Sequence, residues 1–136
     1  MVKLDSIHFR DPFVLPDPES QVYYLYGTSG EFAWEGKAKG FEAYRSRDLM
    51  NWEGPFNVFQ PPEDFWADRN FWAPEVHVYN GGYYMFASFK AEGTRRGTQV
   101  LRSDDPLGPF YPHSPGPLTP SEWECLDGTL YVQNET

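Results

Sequence analysis

Short runs of apolar residues recur along the chain and are separated by turn-forming residues. The first unit has apolar runs at residues 13–15 and 23–26, and residues 41–44 alternate between apolar and polar types. Alternation with a period of two is typical of a half-buried β-strand. The 13 prolines and 12 glycines interrupt the chain too often for a helical period to develop. We therefore predict an all-β fold made of short strands.

Turn signals between the apolar runs predict antiparallel hairpins. Residues 80–82 read Asn-Gly-Gly, and residues 16–18 read Pro-Asp-Pro at the matching place of the first unit. Asn and Gly accept the positive φ angles that tight hairpin turns require. Each turn is followed by a strand that begins with a Tyr-Tyr pair, at residues 23 and 83. Each unit is thus expected to open with a hairpin.

The units repeat at a nearly constant offset. Arg-Ser-Arg-Asp at residues 45–48 is echoed 57 residues later by Arg-Ser-Asp-Asp, and Gly-Pro-Phe at 54–56 returns 54 residues later. A third unit begins with Asp-Gly-Thr-Leu at residues 127–130. Antiparallel units at this period indicate the blades of a β-propeller or the sheets of a β-sandwich. Near-identical phrases at a fixed offset favour the propeller.

The three units start with chemically distinctive motifs. They read Arg-Asp-Pro-Phe at residues 10–13, Trp-Ala-Pro-Glu at 72–75 and Cys-Leu-Asp-Gly at 125–128. In a propeller the first strand of each blade lines the central channel, so the three starts would converge on one pocket. In this order and at these distances the motifs resemble family 43 glycoside hydrolases: arabinanases, β-xylosidases and arabinofuranosidases. The resemblance covers essentially the whole chain.

The resemblance implies a five-bladed β-propeller, of which residues 1–136 would supply the N-terminal part of a single domain. Blade one is expected at about residues 7–60, blade two at about 70–115, and the start of blade three at about 123–136. Five blades of this size need about twice the length of the chain. Because a half-propeller leaves open strand edges, we expect either a fragment of a longer enzyme or a chain completed by a second chain.

The resemblance also assigns roles to residues at the starts of the units. Asp11 matches the family's catalytic base, and Asp127 matches the aspartate that orients the general acid and tunes its pKa. Trp72 and Ala73 match the motif that lines the sugar site. Glu75 stands where the family often has Asp, and we interpret it as pocket lining. The family's general acid, a glutamate of the fourth blade, is missing from this chain. The implied reaction is inverting hydrolysis of arabinose- or xylose-containing plant polysaccharides or oligosaccharides.

Two alternatives remain open. Glu124 and Cys125 resemble the Glu-Cys motif of retaining fructosidases, in which Glu124 would be the acid/base and Asp11 the nucleophile. That group carries Arg-Asp-Pro on its second blade, where this sequence has Trp-Ala-Pro-Glu. The chain is alternatively a non-catalytic glycan-binding or assembly module, since a pocket with a base and no acid holds a sugar but hydrolyses it poorly.

Composition and charge restrict the partners. The net charge is −9, and no Lys/Arg cluster is long enough to contact a run of phosphates along a nucleic acid. We therefore expect no nucleic-acid partner. A neutral glycan is not repelled by this charge, and aromatic residues, 18% of the chain, suit both strands and sugar faces. The single cysteine, Cys125, allows no intrachain disulfide.

Neither a cofactor nor a membrane segment is expected. His8, His77 and His113 lack metal-ligand spacing, and a structural cation in the central channel cannot be identified from sequence. The N-terminal residues lack the long apolar stretch of a signal peptide or a membrane span. A cytoplasmic location is therefore the expectation, or a secreted one if a signal has been removed.

Overall fold

The protein is described by a computed structural model over residues 1–29 and 37–134. These residues form antiparallel β-strands and a single short 3-10 turn at Leu4–Ser6, which confirms the all-β prediction. The strands are β1 (Val2–Lys3), β2 (Phe9–Asp17), β3 (Val22–Ser29), β4 (Phe41–Ser46), β5 (Asn51–Phe59), β6 (Arg69–Tyr79), β7 (Gly82–Ala91), β8 (Thr94–Ser103) and β9 (Tyr111–Pro112). No helix in this part of the chain is long and apolar enough to cross a membrane.

The strands form two sheets that correspond to the two complete sequence repeats. Blade one has the order β1-β5-β4-β3-β2, and blade two has the order β6-β7-β8-β9. In each blade the strand at the start of the repeat lies at one edge, and later strands are added outward as a meander. The N-terminal β1 extends blade one by pairing with β5. The blade bounds given by the repeats stay a prediction.

The turn between β6 and β7 has the geometry that its sequence predicts. Asn80 and Gly81 both have positive φ, 48° and 78°, and Tyr79 pairs with Gly82 across the turn. A two-residue turn with both φ angles positive matches the twist of the flanking strands. This hairpin fixes the register of β6 against β7 from the turn back to Glu75.

Buried phenylalanines from both blades form one shared core. Phe41 and Phe59 of blade one pack with Phe71 and Phe89 of blade two, and each is at most 4% exposed. The rings of Phe71 and Phe89 meet edge to face, with centroids 4.8 Å apart and planes at 81°. Such pairs add to the stabilisation that comes from burying the rings. The two blades are therefore held against each other by packing.

Backbone hydrogen bonds also join the blades. The Phe110 N–H donates to the Val58 carbonyl at 2.8 Å, and the Ala38 N–H donates to the Asp68 carbonyl at 2.8 Å. Gly108 makes the first contact possible, because a Cβ there would lie 2.4 Å from the Val58 oxygen and the residue has φ +76°. The repeated Gly-Pro-Phe motif thus brings the end of blade two against the outer strand of blade one.

Residues 123–134, predicted to begin blade three, form no strand in the described structure. They lie along blade two, where the Cys125 N–H donates to the Arg96 carbonyl at 3.0 Å and the Asp127 N–H donates to Ser88 Oγ at 2.8 Å. A β-strand needs a neighbouring strand to accept and donate its backbone hydrogen bonds. No strand in the described part of the chain pairs with this segment. Contacts with β7 and β8 set its position instead.

The shared core predicts the effect of removing one ring. Phe89 is fully buried among rings of both blades, so Phe89→Ala is expected to lower the free energy of unfolding by about 3–5 kcal/mol. Urea denaturation followed by tryptophan fluorescence measures the change. Leu118→Ala is the control, because Leu118 is 63% exposed and its truncation is expected to change stability by no more than about 0.5 kcal/mol. A cost for Phe89→Ala as small as the control's would contradict a shared core.

Candidate active site

The starts of the three repeats meet in one shallow depression. Its volume is about 270 Å³, and its lining residues are Asp11, Pro12, Phe13, Ala73, Pro74, Glu75 and Asp127. Asp11 lies in β2 and Glu75 in β6, and Asp127 belongs to the irregular segment along blade two. A larger depression of about 690 Å³ shares only Phe13 with it. Chemistry identifies the smaller one as the candidate site, because it collects three carboxyl groups from three distant parts of the chain.

The backbone leaves the regular strand conformation where these residues enter the depression. Asp11, Ala73 and Asp127 have φ of 48°, 49° and 59°. The β2–β3 register shifts between Arg10 and Phe13, and the β6–β7 register shifts between Trp72 and Glu75. Positive φ is uncommon for residues other than glycine and stores about 1–3 kcal/mol of strain at each position. Its recurrence at the same place of three repeats indicates a backbone shaped for a functional site.

Buried hydroxyl groups hold two of these three positions. Thr28 Oγ1 accepts a hydrogen bond from the Ala73 N–H at 2.8 Å, and Ser88 Oγ accepts one from the Asp127 N–H at 2.8 Å. Thr28 and Ser88 are 2% and 0% exposed. In each case the second strand of one blade holds the start of the next repeat. We call these two contacts the hydroxyl clamps.

The neighbouring carboxyl groups influence Asp127. The pKa of Asp127 is raised above its ordinary value of 3.8, first by partial burial and then by the negative charges of Asp11 and Glu75. Since the folded-state pKa is the higher one, folding favours the protonated form. The contribution of Asp127 to stability is therefore greatest below pH 3.8 and declines as the pH rises through its folded-state pKa.

Glu75 contacts a histidine beside the depression. Nε2 of His77 lies 3.1 Å from Oε2 of Glu75, and the His77 ring packs against Phe13 with centroids 5.5 Å apart. The imidazole is thus held between the two blades and fixes the direction of the Glu75 carboxyl. The sequence suggested no role for His77, since a lone histidine without ligand spacing carries no signal.

Trp72 lies next to the depression and does not line it. The guanidinium carbon of Arg96 sits 4.3 Å from the centre of a Trp72 ring. One face of the indole is therefore covered by a cation, an arrangement that stabilises both groups. The predicted contact of Trp72 with a sugar stays a prediction.

Glu124, the acid of the alternative interpretation, lies outside the depression. Its carboxyl accepts a hydrogen bond from the Arg96 backbone N–H at 2.5 Å, and Nη1 of Arg96 is 3.8 Å from its other oxygen. The Arg96 N–H and nearby Lys90 are the main causes of a lowered Glu124 pKa. A carboxyl held ionised in this way is unsuited to donating a proton at neutral pH.

Among residues 1–29 and 37–134, no group of three or more His, Cys, Asp or Glu side chains is arranged to hold a metal ion. The absence of a cofactor stays a prediction. The His113 ring packs against Tyr84, with centroids 5.3 Å apart, and His8 is exposed.

The Thr28 clamp predicts a difference between two substitutions. Thr28→Val keeps the shape but leaves the Ala73 N–H without its acceptor, so we expect a loss of about 1–3 kcal/mol in the free energy of unfolding. Thr28→Ser keeps the hydroxyl and is expected to lose clearly less. Urea denaturation of both variants measures the difference. Equal losses would show that packing of the Thr28 methyl, and not the hydrogen bond, holds Ala73.

The carboxyl cluster predicts a coupled titration. In the wild-type protein, ¹³C NMR of the Asp127 carboxyl is expected to give a pKa above 3.8. Asp11→Asn removes one of the neighbouring charges and is expected to lower that pKa, though not fully, because burial is the larger cause. Asp104→Asn is the matched control, since the Asp104 side chain is 86% exposed and paired with Arg102. An Asp127 pKa that responds equally to both variants would contradict the cluster.

Comparison with known proteins identifies the family. A family model described as "Glycosyl hydrolases family 43" matches residues 6–136. A xylosidase/arabinosidase of Bacteroides ovatus is 32% identical over 102 residues, which cover 69% of this chain and 31% of the relative. An extracellular endo-α-(1→5)-L-arabinanase of Bacillus subtilis (strain 168) is 27% identical over 100 residues, which cover 69% of this chain and 29% of the relative.

A solved structure gives the same result. The endo-arabinase from Bacteroides thetaiotaomicron VPI-5482 superposes with a TM-score of 0.85 and 40% identity, covering 98% of this chain and 44% of that one. This likeness confirms the five-bladed propeller type, of which the chain supplies about two blades and the start of a third. The chain spans about a third of the length of the curated relatives it matches. Its sequence and its fold place it in glycosyl hydrolase family 43.

Proposed function

We propose that this chain provides the base side of the active site of a glycoside hydrolase acting on arabinose- or xylose-containing plant polysaccharides or oligosaccharides. The observation that carries the proposal is the meeting of Asp11 and Asp127 in one depression, although 115 residues lie between them in the sequence. Family membership and the names of relatives, a xylosidase/arabinosidase and an arabinanase, support the substrate class.

In this proposal Asp11 is the general base of an inverting reaction. Its carboxylate takes a proton from a water molecule as the water oxygen attacks the anomeric carbon, on the face opposite the leaving group. A carboxylic acid on the other side gives its proton to the glycosidic oxygen as the bond to the anomeric carbon breaks. Such pairs of carboxyl groups lie about 6.5–9.5 Å apart, which leaves room for the water. The exposure of Asp11 supports this role, because the base must reach solvent.

Asp127 is proposed to tune the general acid. A carboxylate close to another carboxyl group raises the pKa of its neighbour and keeps it protonated at neutral pH. Partial burial and the negative charges of Asp11 and Glu75 raise the pKa of Asp127 itself, so the depression has the concentration of negative charge that the role needs.

Ala73, Glu75 and Trp72 are proposed to shape the sugar subsite. Ala73 has nearly the same φ as Asp11, but it puts a methyl group where the first and third repeats put a carboxyl. We propose that the small side chain keeps this part of the depression open for a sugar. Glu75, oriented by His77, is proposed to accept hydrogen bonds from sugar hydroxyls. Trp72, which lies next to the depression, is proposed to contact a part of the sugar that extends beyond it.

The general acid is proposed to come from the remainder of the propeller or from a second chain. Since the solved arabinase is more than twice as long as the matched region, the rest of such a propeller offers the other side of the site. Two of the relatives are named as extracellular enzymes, which favours the secreted location over the cytoplasmic one. Carbohydrate is the proposed ligand, and nucleic acid and membranes are not.

The retaining fructosidase alternative has less support. It needs Glu124 as a proton donor within about 5–5.5 Å of Asp11, but Glu124 is outside the depression and its pKa is lowered. The glycan-binding alternative remains distinct, because it predicts binding to the same depression without turnover.

The proposal predicts loss of turnover on removing the base. In the complete protein, Asp11→Asn is expected to lower kcat on linear arabinan or a xylo-oligosaccharide by at least about 100-fold, in line with general base catalysis. Asp104→Asn, remote and exposed, is the control. Reducing-sugar release measures the rate, and ¹H NMR in the first minutes measures the anomer of the product, which should be inverted.

Each other outcome has a clear meaning. Near-normal turnover by Asp11→Asn would remove Asp11 from the mechanism. A retained anomer would favour the fructosidase-type mechanism. Saturable binding of arabino-oligosaccharides with no hydrolysis, measured by calorimetry on the complete protein, would favour the glycan-binding module.

A further inference from the structure

Arg96, in β8, contacts the strand that carries the second repeat's site residues. Its guanidinium carbon lies 4.3 Å from the centre of a Trp72 ring, and Nη2 donates to Oδ1 of Asn70 at 3.1 Å. Asn70 and Trp72 belong to β6, which continues directly into Ala73 and Glu75 of the depression. Arg96 thus holds the part of β6 just before the site.

The same residue holds the chain that leads to Asp127. The Arg96 backbone N–H donates to Oε2 of Glu124 at 2.5 Å, and the Arg96 carbonyl accepts a hydrogen bond from the Cys125 N–H at 3.0 Å. Nη1 of Arg96 lies 3.8 Å from Oε1 of Glu124. Residues 124 and 125 are therefore fixed to β8 through both the main chain and the side chain of Arg96.

The irregular segment 124–128 depends on such contacts. It has no ladder partner in the described structure, and beyond Cys125 it is held by the clamp between Asp127 and Ser88. Gly128 then packs directly on Thr98, where a Cβ would lie 2.5 Å from Cγ2. With no strand pairing to fix it, the place of the Asp127 carboxyl follows from these few contacts along β7 and β8.

The chemistry of arginine suits this junction. The guanidinium is planar, so it stacks on an aromatic ring while its edge donates to acceptors on either side, which a lysine ammonium cannot do. The Arg96 side chain is only 23% exposed, and Glu124 is 41% exposed. Nε of Arg96 is buried without a hydrogen-bond partner among the described residues. Contacts with the Trp72 ring, Asn70 and Glu124 therefore fix the position of the guanidinium, although its Nε makes no hydrogen bond within the described residues.

We infer that Arg96 is a positioning residue of the candidate active site: it ties β6 to residues 124 and 125 and so sets the place of the Asp127 carboxyl, two residues further on, relative to Asp11. The kinetic consequence rests on the proposed function. The geometric consequence does not, because it concerns the backbone and the titration of Asp127 and is measured without substrate.

The geometric test uses Arg96→Met, Arg96→Lys and the neighbouring control Arg95→Met, whose native side chain is exposed. Amide hydrogen exchange is followed by NMR at Cys125 and Asp127. Arg96→Met keeps the backbone bonds to Glu124 and Cys125 but removes the side-chain contacts with Asn70, Trp72 and Glu124. Exchange at both amides is therefore expected to speed up by about tenfold. The Asp127 carboxyl titration should shift as well. Arg96→Lys is expected to give exchange rates between those of the wild type and Arg96→Met. Arg95→Met is expected to match the wild type.

The kinetic test uses the same variants in the complete enzyme. A misplaced Asp127 lowers transition-state stabilisation with little effect on substrate binding, so Arg96→Met is expected to reduce kcat by about 10–100-fold with KM within about twofold. Thermal denaturation is recorded in parallel. Partial recovery of kcat in Arg96→Lys would support positioning by charge and stacking over a general loss of stability.

The outcomes separate the inference from the proposed function. Wild-type exchange rates and an unchanged Asp127 titration in a folded Arg96→Met variant would overturn the inference. If that variant does not fold, the same result in Arg96→Lys overturns it. Hydrolysis that requires Asp11 but is unaffected by Arg96→Met would also overturn it, while the proposed function stands. Absence of hydrolysis in the wild-type enzyme would overturn the proposed function, and hydrogen exchange would still decide the inference.

Discussion

The candidate site depends on a backbone that departs from regular strand geometry at defined positions. Where β2 and β6 reach the depression, and again at Asp127, the chain takes a positive φ, and the N–H groups of Ala73 and Asp127 donate to side-chain hydroxyls. An N–H without an acceptor is costly when it is removed from water. The hydroxyl clamps of Thr28 and Ser88 provide the acceptors, each from the second strand of the preceding blade. The start of one repeat is thus fixed by the repeat before it.

Rigid packing behind the clamps makes this arrangement possible. A hydroxyl can hold a strained backbone only if its own strand does not move, and Thr28 and Ser88 lie in the buried interior of β3 and β7. The phenylalanine core shared by the blades keeps these strands in place. Strain of about 1–3 kcal/mol at each bent position is small beside the burial of several aromatic rings, each of which contributes roughly 1.5–3 kcal/mol. The core therefore tolerates the distortion that the site requires.

Much of this architecture could be predicted from local patterns. Alternating apolar positions, the Asn-Gly-Gly turn and the repeated phrases each reflect the geometry of one strand or one hairpin, and the structure has the strands and the turn where the patterns place them. The convergence of Asp11, Ala73, Glu75 and Asp127 followed from repeat symmetry combined with the family resemblance. The absence of a strand at residues 123–134 could not be predicted in this way. A strand forms there only if a partner strand is present, and local sequence preference does not show whether one is.

The clamps and Arg96 were missed for a different reason. The role of a single hydroxyl or a single arginine in a strand depends on contacts made across the fold, which local sequence patterns do not show. One signal was nonetheless present. Thr28 and Ser88 each stand five residues after the first tyrosine of the repeated Tyr-Tyr strands, and a hydroxyl kept at the same place of two repeats points to a shared structural task.

Environment, and not residue type, separates the two carboxyl groups near the start of the third repeat. Glu124 and Asp127 are three residues apart, yet their pKa values move in opposite directions. Glu124 accepts a hydrogen bond from the Arg96 N–H and lies near cations, which favours its ionised form. Partial desolvation of the Asp127 carboxyl and the nearby charges of Asp11 and Glu75 raise its pKa and favour its protonated form. Arg96 therefore binds the Glu124 carboxylate and keeps it ionised. The Asp127 carboxyl lies near the negative charges of Asp11 and Glu75, and a carboxyl with a raised pKa is suited to proton transfer.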